Sequence, residues 1–146
     1  MKIKTSKVNK MNANGFYYPR TEMKKAIKKF NDEPDNMNHC IYLTREQAKA
    51  HLDYNKNIVD VIGKVNKLEL EGDDIIIDFT FADTPTGRHF NDFVSECQKK
   101  NLDMSFFDYK IMMDCMGRLE PTKKGDKVTD IEVAYFVTGL DSVWSK

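Results

Sequence analysis

The chain has 146 residues, a length typical of a single domain that can bury its own core without disulfides or metal ions. Hydrophobic residues make up 40% and charged residues 32%, which is the composition of a globular protein and excludes a disordered or fibrous one. The 23 basic and 23 acidic residues balance, which argues against broad binding to nucleic acid or a membrane surface, since both need a basic excess.

Cysteine usage and the N-terminal residues indicate the compartment. Cys40, Cys97 and Cys115 are odd in number and widely spaced, so they predict free thiols in a reducing compartment rather than a disulfide framework or a zinc site. Met1–Lys4 lacks the apolar run of a signal peptide, and no apolar stretch is long enough to span a bilayer. We therefore expect synthesis in the cytoplasm and no membrane partner.

The N-terminal part of the chain predicts an arm or edge strand over residues 1–20, followed by one domain over residues 21–146. The first helix is predicted over Thr21–Phe30, with Thr21 as its cap. Its apolar positions recur at helical spacing: Met23, Ala26, Ile27 and Phe30.

A short apolar run, His39–Leu43, precedes the second predicted helix. This helix begins at Thr44, because Thr44 and Gln47 fit a capping box, and it ends near Asp53.

The clearest supersecondary element is a β-hairpin. Ile58–Glu69 and Ile75–Phe81 alternate as strands do, and Glu71–Asp74 between them contains the glycine that a tight turn needs. A third helix then starts at Thr84-Pro85, since Thr suits the cap and Pro the first helical position. It ends near Lys99, and its predicted buried stripe is Phe90, Phe93, Val94 and Cys97.

The last part of the chain predicts strands over Leu102–Met113 and Val128–Val137, a polar loop over Pro121–Asp126 between them, and a short strand over Leu140–Trp144. Because the clearest strand pair is a hairpin, the pattern favours an α+β fold over a parallel βαβ sheet. We expect a small, mainly antiparallel β-barrel or curled sheet with about three flanking helices.

Few residues suggest cofactor chemistry. There is no glycine-rich phosphate loop. His39, His51 and His89 are not spaced with carboxylates as metal ligands are. We therefore expect no cofactor and no metal ion.

Four features taken together resemble the prohead (head maturation) proteases of tailed bacteriophages. They are Gly63-Lys64-Val65 before the hairpin, the Asp83–Arg88 helix start, a strand with Ser105, and the Val128–Trp144 terminal strands. The resemblance covers about residues 39–144. It implies a herpes-type protease barrel and a serine endopeptidase that cleaves scaffold and capsid proteins.

The resemblance also implies a catalytic triad. Ser105 stands at the position of the nucleophile. His39 and His51 are alternatives for the base that would take its proton, and Asp108 and Asp130 are alternatives for the acid.

The chain departs from the family pattern at two places. Bulky Phe106 and Phe107 follow Ser105, where the family has small residues that let a substrate approach. Tyr54, in Asp53-Tyr54-Asn55, stands where the family places a histidine. These departures favour a non-catalytic structural protein of the virion, such as an auxiliary or decoration capsid protein. Its expected partners are the major capsid protein, other head proteins or further copies of itself in a symmetric lattice.

Two alternatives remain. One is an active maturation protease that uses the triad above. The other is an unrelated intracellular binding domain whose turns mimic the family.

Overall fold

A computed structural model describes residues 1–33, 39–52, 61–101 and 110–138, with His51 and Lys110 described by their backbone only. The helices are Arg20–Asp32 (α1), Arg45–Leu52 (α2) and Pro85–Lys99 (α3). The strands are Lys2–Lys7 (β1), Phe16–Tyr17 (β2), Cys40–Tyr42 (β3), Val61–Glu71 (β4), Asp74–Phe81 (β5), Lys110–Thr122 (β6) and Gly125–Thr138 (β7).

The seven strands form one sheet that curls into a half-barrel. The strand order is β1-β5-β4-β3-β7-β2, and β6 pairs with β7 as well. The pairs β1–β5, β4–β5, β3–β4 and β6–β7 are antiparallel, whereas the short strands β2 and β3 run parallel to β7. The expected α+β fold, a mainly antiparallel curled sheet with three helices, is confirmed.

The predicted hairpin is present as β4 and β5. Its turn has Gly72 at a positive φ of 60°, the backbone conformation for which glycine was expected there. Ile75, Ile77 and Phe79 are buried on the inner face, as their alternation predicts. The predicted first residues of β4, 58–60, lie outside the described residues.

The prediction of a polar loop over Pro121–Asp126 is wrong. Thr122 pairs with Gly125, so β6 and β7 form one long hairpin with only Lys123 and Lys124 in the turn. Polar residues at an exposed hairpin tip resemble a loop in sequence, because neither face of the hairpin is buried there. The sequence also started this strand at Leu102, but residues 102–109 lie outside the described part of the chain, as does Leu140–Trp144.

The start of α1 also differs from the expectation. The helix begins at Arg20, and Pro19 occupies the cap position without a side-chain cap bond. The Pro19 carbonyl accepts from the Met23 amide at 2.9 Å, which makes Thr21 an ordinary helical residue. The Arg20 guanidinium extends to the Gly72 carbonyl and the Asp73 carboxylate, so this end of α1 is held at the β4–β5 turn.

The N-terminal residues take the edge-strand alternative, since β1 pairs with β5 and lies at one end of the strand order. The main core lies between the sheet and helices α1 and α3, and its buried members include Met23, Phe30 and Phe90. A smaller cluster under α2 contains Tyr42 and Ala134. No helix in the described ranges is long and apolar enough to cross a membrane.

Candidate active site

The first residues of β4 and β6 and the last residues of β3 and β7 lie at one end of the sheet. Val61, the first residue of β4, pairs with Tyr42 of β3, and Tyr42 pairs with Phe136 near the end of β7. At the same end, Lys110 of β6 pairs with Thr138 of β7. The residues just before β4 include Tyr54, and those just before β6 include Ser105 and Asp108. The candidates Ser105 and Asp108, and Tyr54 at the position of the family histidine, lie outside the described residues.

The start of α3 is fastened to the beginning of β4 by the threonine of the helix-start motif. The Thr84 hydroxyl donates to the Val61 carbonyl at 2.6 Å and accepts from the Gly87 amide at 3.0 Å. Ala82, which lies two residues before Thr84, donates its amide to the Ile62 carbonyl at 2.8 Å. Thr84 therefore caps the helix, as predicted, and also joins it to the sheet.

The glycine of the same motif is required by space. A Cβ on Gly87 would stand 2.7 Å from the Ile62 carbonyl oxygen and would overlap the Ala82 carbonyl oxygen. Both neighbours are backbone atoms, so they cannot move aside as a flexible side chain can. Thr84 and Gly87 belong to the segment that resembles the phage proteases, and in this structure they allow α3 to pack closely against β4.

His39 lies in the core, far from solvent. Its side chain is 1% exposed and stacks on the Phe30 ring with 3.8 Å between ring centroids. Its Nε2 lies 2.6 Å from the Phe30 carbonyl oxygen, and its Nδ1 lies 3.0 Å from the Val65 carbonyl oxygen. A general base needs a ring nitrogen with a free lone pair that faces the proton it removes. In this arrangement both ring nitrogens of His39 already face main-chain carbonyls.

Asp130 lies on the surface, at an irregularity of the β6–β7 hairpin. Between the pairs Met116–Glu132 and Arg118–Thr129, β7 has one residue more than β6, and Asp130 there has a positive φ of 50°. This arrangement is a β-bulge. The Asp130 carboxylate forms an exposed ion pair with Arg118 at 3.7 Å. The structure thus gives Asp130 a cation as its partner, and His39 two carbonyls.

The two other histidines are on helices. His51 belongs to α2, as the sequence predicted, and only its backbone is described. His89 is exposed on α3 beside Phe90.

The thiols of Cys40 and Cys115 are poorly suited to nucleophilic chemistry at neutral pH. Burial raises the pKa of Cys115 to about 12, and burial also raises the pKa of Cys40. The thiolate is the nucleophilic form, so these raised pKa values keep both groups protonated and unreactive. All three cysteines are free, and no cluster of three or more metal-ligating side chains occurs within the described ranges.

Asn31 follows Phe30, the predicted end of the first helix, yet it belongs to α1 and makes a specific contact with the sheet. Its side-chain amide donates to the Leu68 carbonyl at 3.0 Å, and its side-chain oxygen accepts from the Leu68 amide at 2.9 Å. The side chain of Asn31 therefore pairs with β4 as a neighbouring strand would. Its sequence neighbourhood carries no signal for this contact, because Leu68 is 37 residues away.

A solved structure with the same architecture is the capsid assembly protease gp21 of bacteriophage T4. The two structures align with a TM-score of 0.62 over 93% of this chain and 80% of the phage chain, at 14% sequence identity. The chain has the fold of that phage protease. No family model matches the sequence, and no curated protein matches it. The predicted resemblance to prohead proteases is therefore supported at the level of the fold.

Proposed function

We propose that this chain is a structural protein of a tailed-phage head, built on the capsid-protease fold and without protease activity. Its partners would be the major capsid protein or other head proteins, and its location the virion. The protein with the similar structure is named as a capsid assembly protease, which connects this fold with phage head assembly.

The observation that carries the non-catalytic part of the proposal is the position of His39. With both ring nitrogens facing carbonyls and 1% of the side chain exposed, His39 could act as a base only if it left the core. Moving it would leave the Val65 carbonyl without this partner, which is costly for a buried group, and would leave the Phe30 carbonyl with the Glu33 amide.

The sequence adds two supporting features. Tyr54 stands where the resembled family has its histidine, so the imidazole that would act as the base is missing at that position. Phe106 and Phe107 add bulk directly after Ser105.

The second candidate function is an active maturation protease. The fold similarity to a protease favours it, together with the presence of Ser105 at the resembled nucleophile position. In that case His51 would be the base, and Asp108 or Asp130 the acid.

One experiment separates the two functions. Purified protein and its Ser105→Ala variant are each incubated with the major capsid and scaffold proteins of the phage that encodes the chain. Intact-mass spectrometry measures cleavage, and co-sedimentation with assembled capsids measures binding. We expect no cleavage by either protein and equal co-sedimentation of both.

Cleavage that the Ser105→Ala variant lacks would overturn the non-catalytic proposal in favour of the protease. Absence of both cleavage and co-sedimentation would refute a structural role on the capsid.

A further inference from the structure

The two long strands at the edges of the curled sheet, β1 and β6, differ in how they are protected. β1 carries the exposed side chains of Lys2, Lys4 and Lys7, and its register with β5 is interrupted after Lys4. Lysines and such irregularities keep an edge strand from pairing with another chain. Among the described strands β6 pairs with β7 alone, and its register is continuous from Arg118 to Thr122. The outer edge of β6 is therefore the better place for an added strand.

The end of the β6–β7 hairpin exposes an apolar side chain that continues the core. All residues from 116 to 124 are exposed, and Leu119 is 53% exposed. Leu119 stands opposite Val128 on β7, which is buried in the main core. The apolar row that begins at Val128 thus continues to Leu119 and stops at the edge of the sheet.

The backbone groups of Leu119 face this outer edge. The Asp126 amide donates to the Gly15 carbonyl at 3.0 Å, so the hydrogen-bonding groups of Asp126 point away from β6. Pro121 stands opposite Asp126 and has no N–H, so its groups face outward as well. Because backbone groups alternate in direction along a strand, the amide and carbonyl of Leu119 also point outward.

The charged residues on either side of Leu119 have opposite signs, and each has a partner of opposite sign on β7. The Arg118 guanidinium lies 3.7 Å from the Asp130 carboxylate, and the Glu120 carboxylate lies 3.4 Å from the Lys127 ammonium group. Arg118 and Glu120 both remain more than half exposed. An added strand that placed an acid beside Arg118 and a base beside Glu120 would extend both rows with alternating charge.

We propose that β6 pairs antiparallel with β6 of a second copy of this chain, about a two-fold axis at Leu119. Leu119 then lies opposite Leu119 of the second copy and exchanges two backbone hydrogen bonds with it. Arg118 of each copy lies opposite Glu120 of the other. Each of the two charged rows across the four strands then reads Lys127, Glu120, Arg118, Asp130, with alternating sign.

The charges also select this register over its neighbours. An axis at Arg118 would place Arg118 opposite itself, and an axis at Glu120 would place Glu120 opposite itself, which is destabilising. Pro121 ends the ladder because it has no N–H to donate. A strand pair this short buries less than the roughly 1,600 Å² of a standard interface. We therefore expect weak association between free copies, strengthened where several contacts act together. The pairing does not depend on whether the chain cleaves proteins.

The test is disulfide cross-linking of Leu119→Cys under mild oxidation, followed on non-reducing gels. In the proposed register the two Cα atoms at this position lie about 5.5 Å apart, which suits a disulfide. Thr122→Cys is the matched control, because it is also exposed but would lie about 20 Å from its counterpart. Both variants keep the three native cysteines, and the unaltered chain gives the background. We expect Leu119→Cys to cross-link about tenfold faster than Thr122→Cys.

Charge reversal in the Leu119→Cys background tests the register. Arg118→Glu places Glu opposite Glu in both rows, and Glu120→Arg places Arg opposite Arg. Each variant alone should cross-link about tenfold more slowly, because two attractive pairs become repulsive. An equimolar mixture of the two variants restores opposite charges in every row, so it should cross-link at the rate of Leu119→Cys alone. Urea unfolding checks that each variant is folded, and if one is not, the other alone provides the test.

Three outcomes would overturn the proposal. The first is equal cross-linking of Leu119→Cys and Thr122→Cys. The second is cross-linking that charge reversal leaves unchanged, or that the mixture does not restore. The third is a Leu119→Cys protein that cross-links to the major capsid protein in a mixture of the two but not to itself, which would assign the edge of β6 to a strand of that protein.

Discussion

Helices α3 and α1 are both attached to β4, but by different physical means. The start of α3 is attached by close backbone packing at Gly87 and by one hydroxyl, that of Thr84. The end of α1 is attached by two polar side chains, Asn31 and His39, which bond to β4 at Leu68 and Val65, beyond the residues of β4 that pair with β3. Close packing tolerates no added atom, whereas the polar attachment depends on retaining each hydrogen bond.

The α3 attachment joins the two ends of the β4–β5 hairpin, where Thr84 contacts Val61 from 23 positions away and Ala82 contacts Ile62. The α1 attachment joins residues 26 and 37 positions apart. The first can therefore form together with the β4–β5 hairpin, whereas the second requires the helix to be brought to the sheet.

The largest expected effect comes from adding one methyl group to the packed attachment. Gly87→Ala should destabilise the protein by about 3 kcal/mol, because its Cβ meets two backbone oxygens that cannot move without shifting the helix. Urea unfolding measures this loss. The control is Gly72→Ala, where no atom lies within 4 Å and only the positive φ opposes alanine, at a cost of about 1 kcal/mol. Equal losses at both sites would contradict the packing argument.

The next largest effect is expected when the side-chain amide of Asn31, which pairs with β4, is removed. Asn31→Ala should cost about 2 kcal/mol, since the Leu68 amide and carbonyl both lose their partner in a partly buried place. The same unfolding assay applies. Asn66→Ala serves as the comparison, because the Asn66 bond to Thr80 is exposed and should contribute about 0.5 kcal/mol. A loss no larger than that of Asn66→Ala would mean that Asn31 does not hold α1 on the sheet.

A smaller effect is expected at the hydroxyl of the α3 attachment. Thr84→Ala removes both the helix cap and the bond to Val61 and should cost about 1 kcal/mol, whereas Thr84→Ser keeps both bonds. Thermal unfolding of the two variants side by side measures the difference. If serine is as destabilising as alanine, the threonine methyl group and not the hydroxyl is what matters.

The smallest effect concerns a charge on the exposed side of α1. The hydrogen bond from Lys28 to Asp32 raises the pKa of the Lys28 ammonium group. Its contribution is therefore fully present below the unfolded pKa near 10.4 and is lost only as the pH rises through the higher folded value. Lys28→Gln should leave the unfolding midpoint nearly unchanged at neutral pH, and high salt should remove any difference. A large loss would show that surface charge contributes strongly to the stability of α1.

Much of the fold was predictable wherever the deciding interactions are local. The β4–β5 turn needs a glycine at Gly72, Thr44 precedes α2 and its hydroxyl accepts from the Gln47 amide, and Thr84 caps α3, which begins at Pro85. In each case the residues that decide the structure are within four positions of one another. The resemblance to phage proteases depends partly on the start of α3. In the structure, Thr84 and Gly87 of this segment hold the helix against β4.

The candidate site was less predictable, because a side chain such as histidine or aspartate can be catalytic or structural. Which of the two it is depends on the groups it contacts in the folded protein. Asp130 is an acidic residue on a strand in sequence, and only its pairing across β6 and β7 shows that it occupies a bulge beside Arg118. The predicted roles of Ser105, His51 and Asp108 stay predictions.

By itself the sequence determined the β4–β5 hairpin, the caps of α2 and α3 and most of the apolar faces, because turn geometry, capping and periodicity depend on neighbouring residues. The tertiary structure alone decided how α1 is attached to β4. His39 and Asn31 lie in or next to a polar stretch of sequence, and their partners are carbonyl and amide groups that every residue carries. No feature of the amino-acid sequence marks Val65 or Leu68 as those partners. Only the folded arrangement of α1 and β4 brings them together with His39 and Asn31.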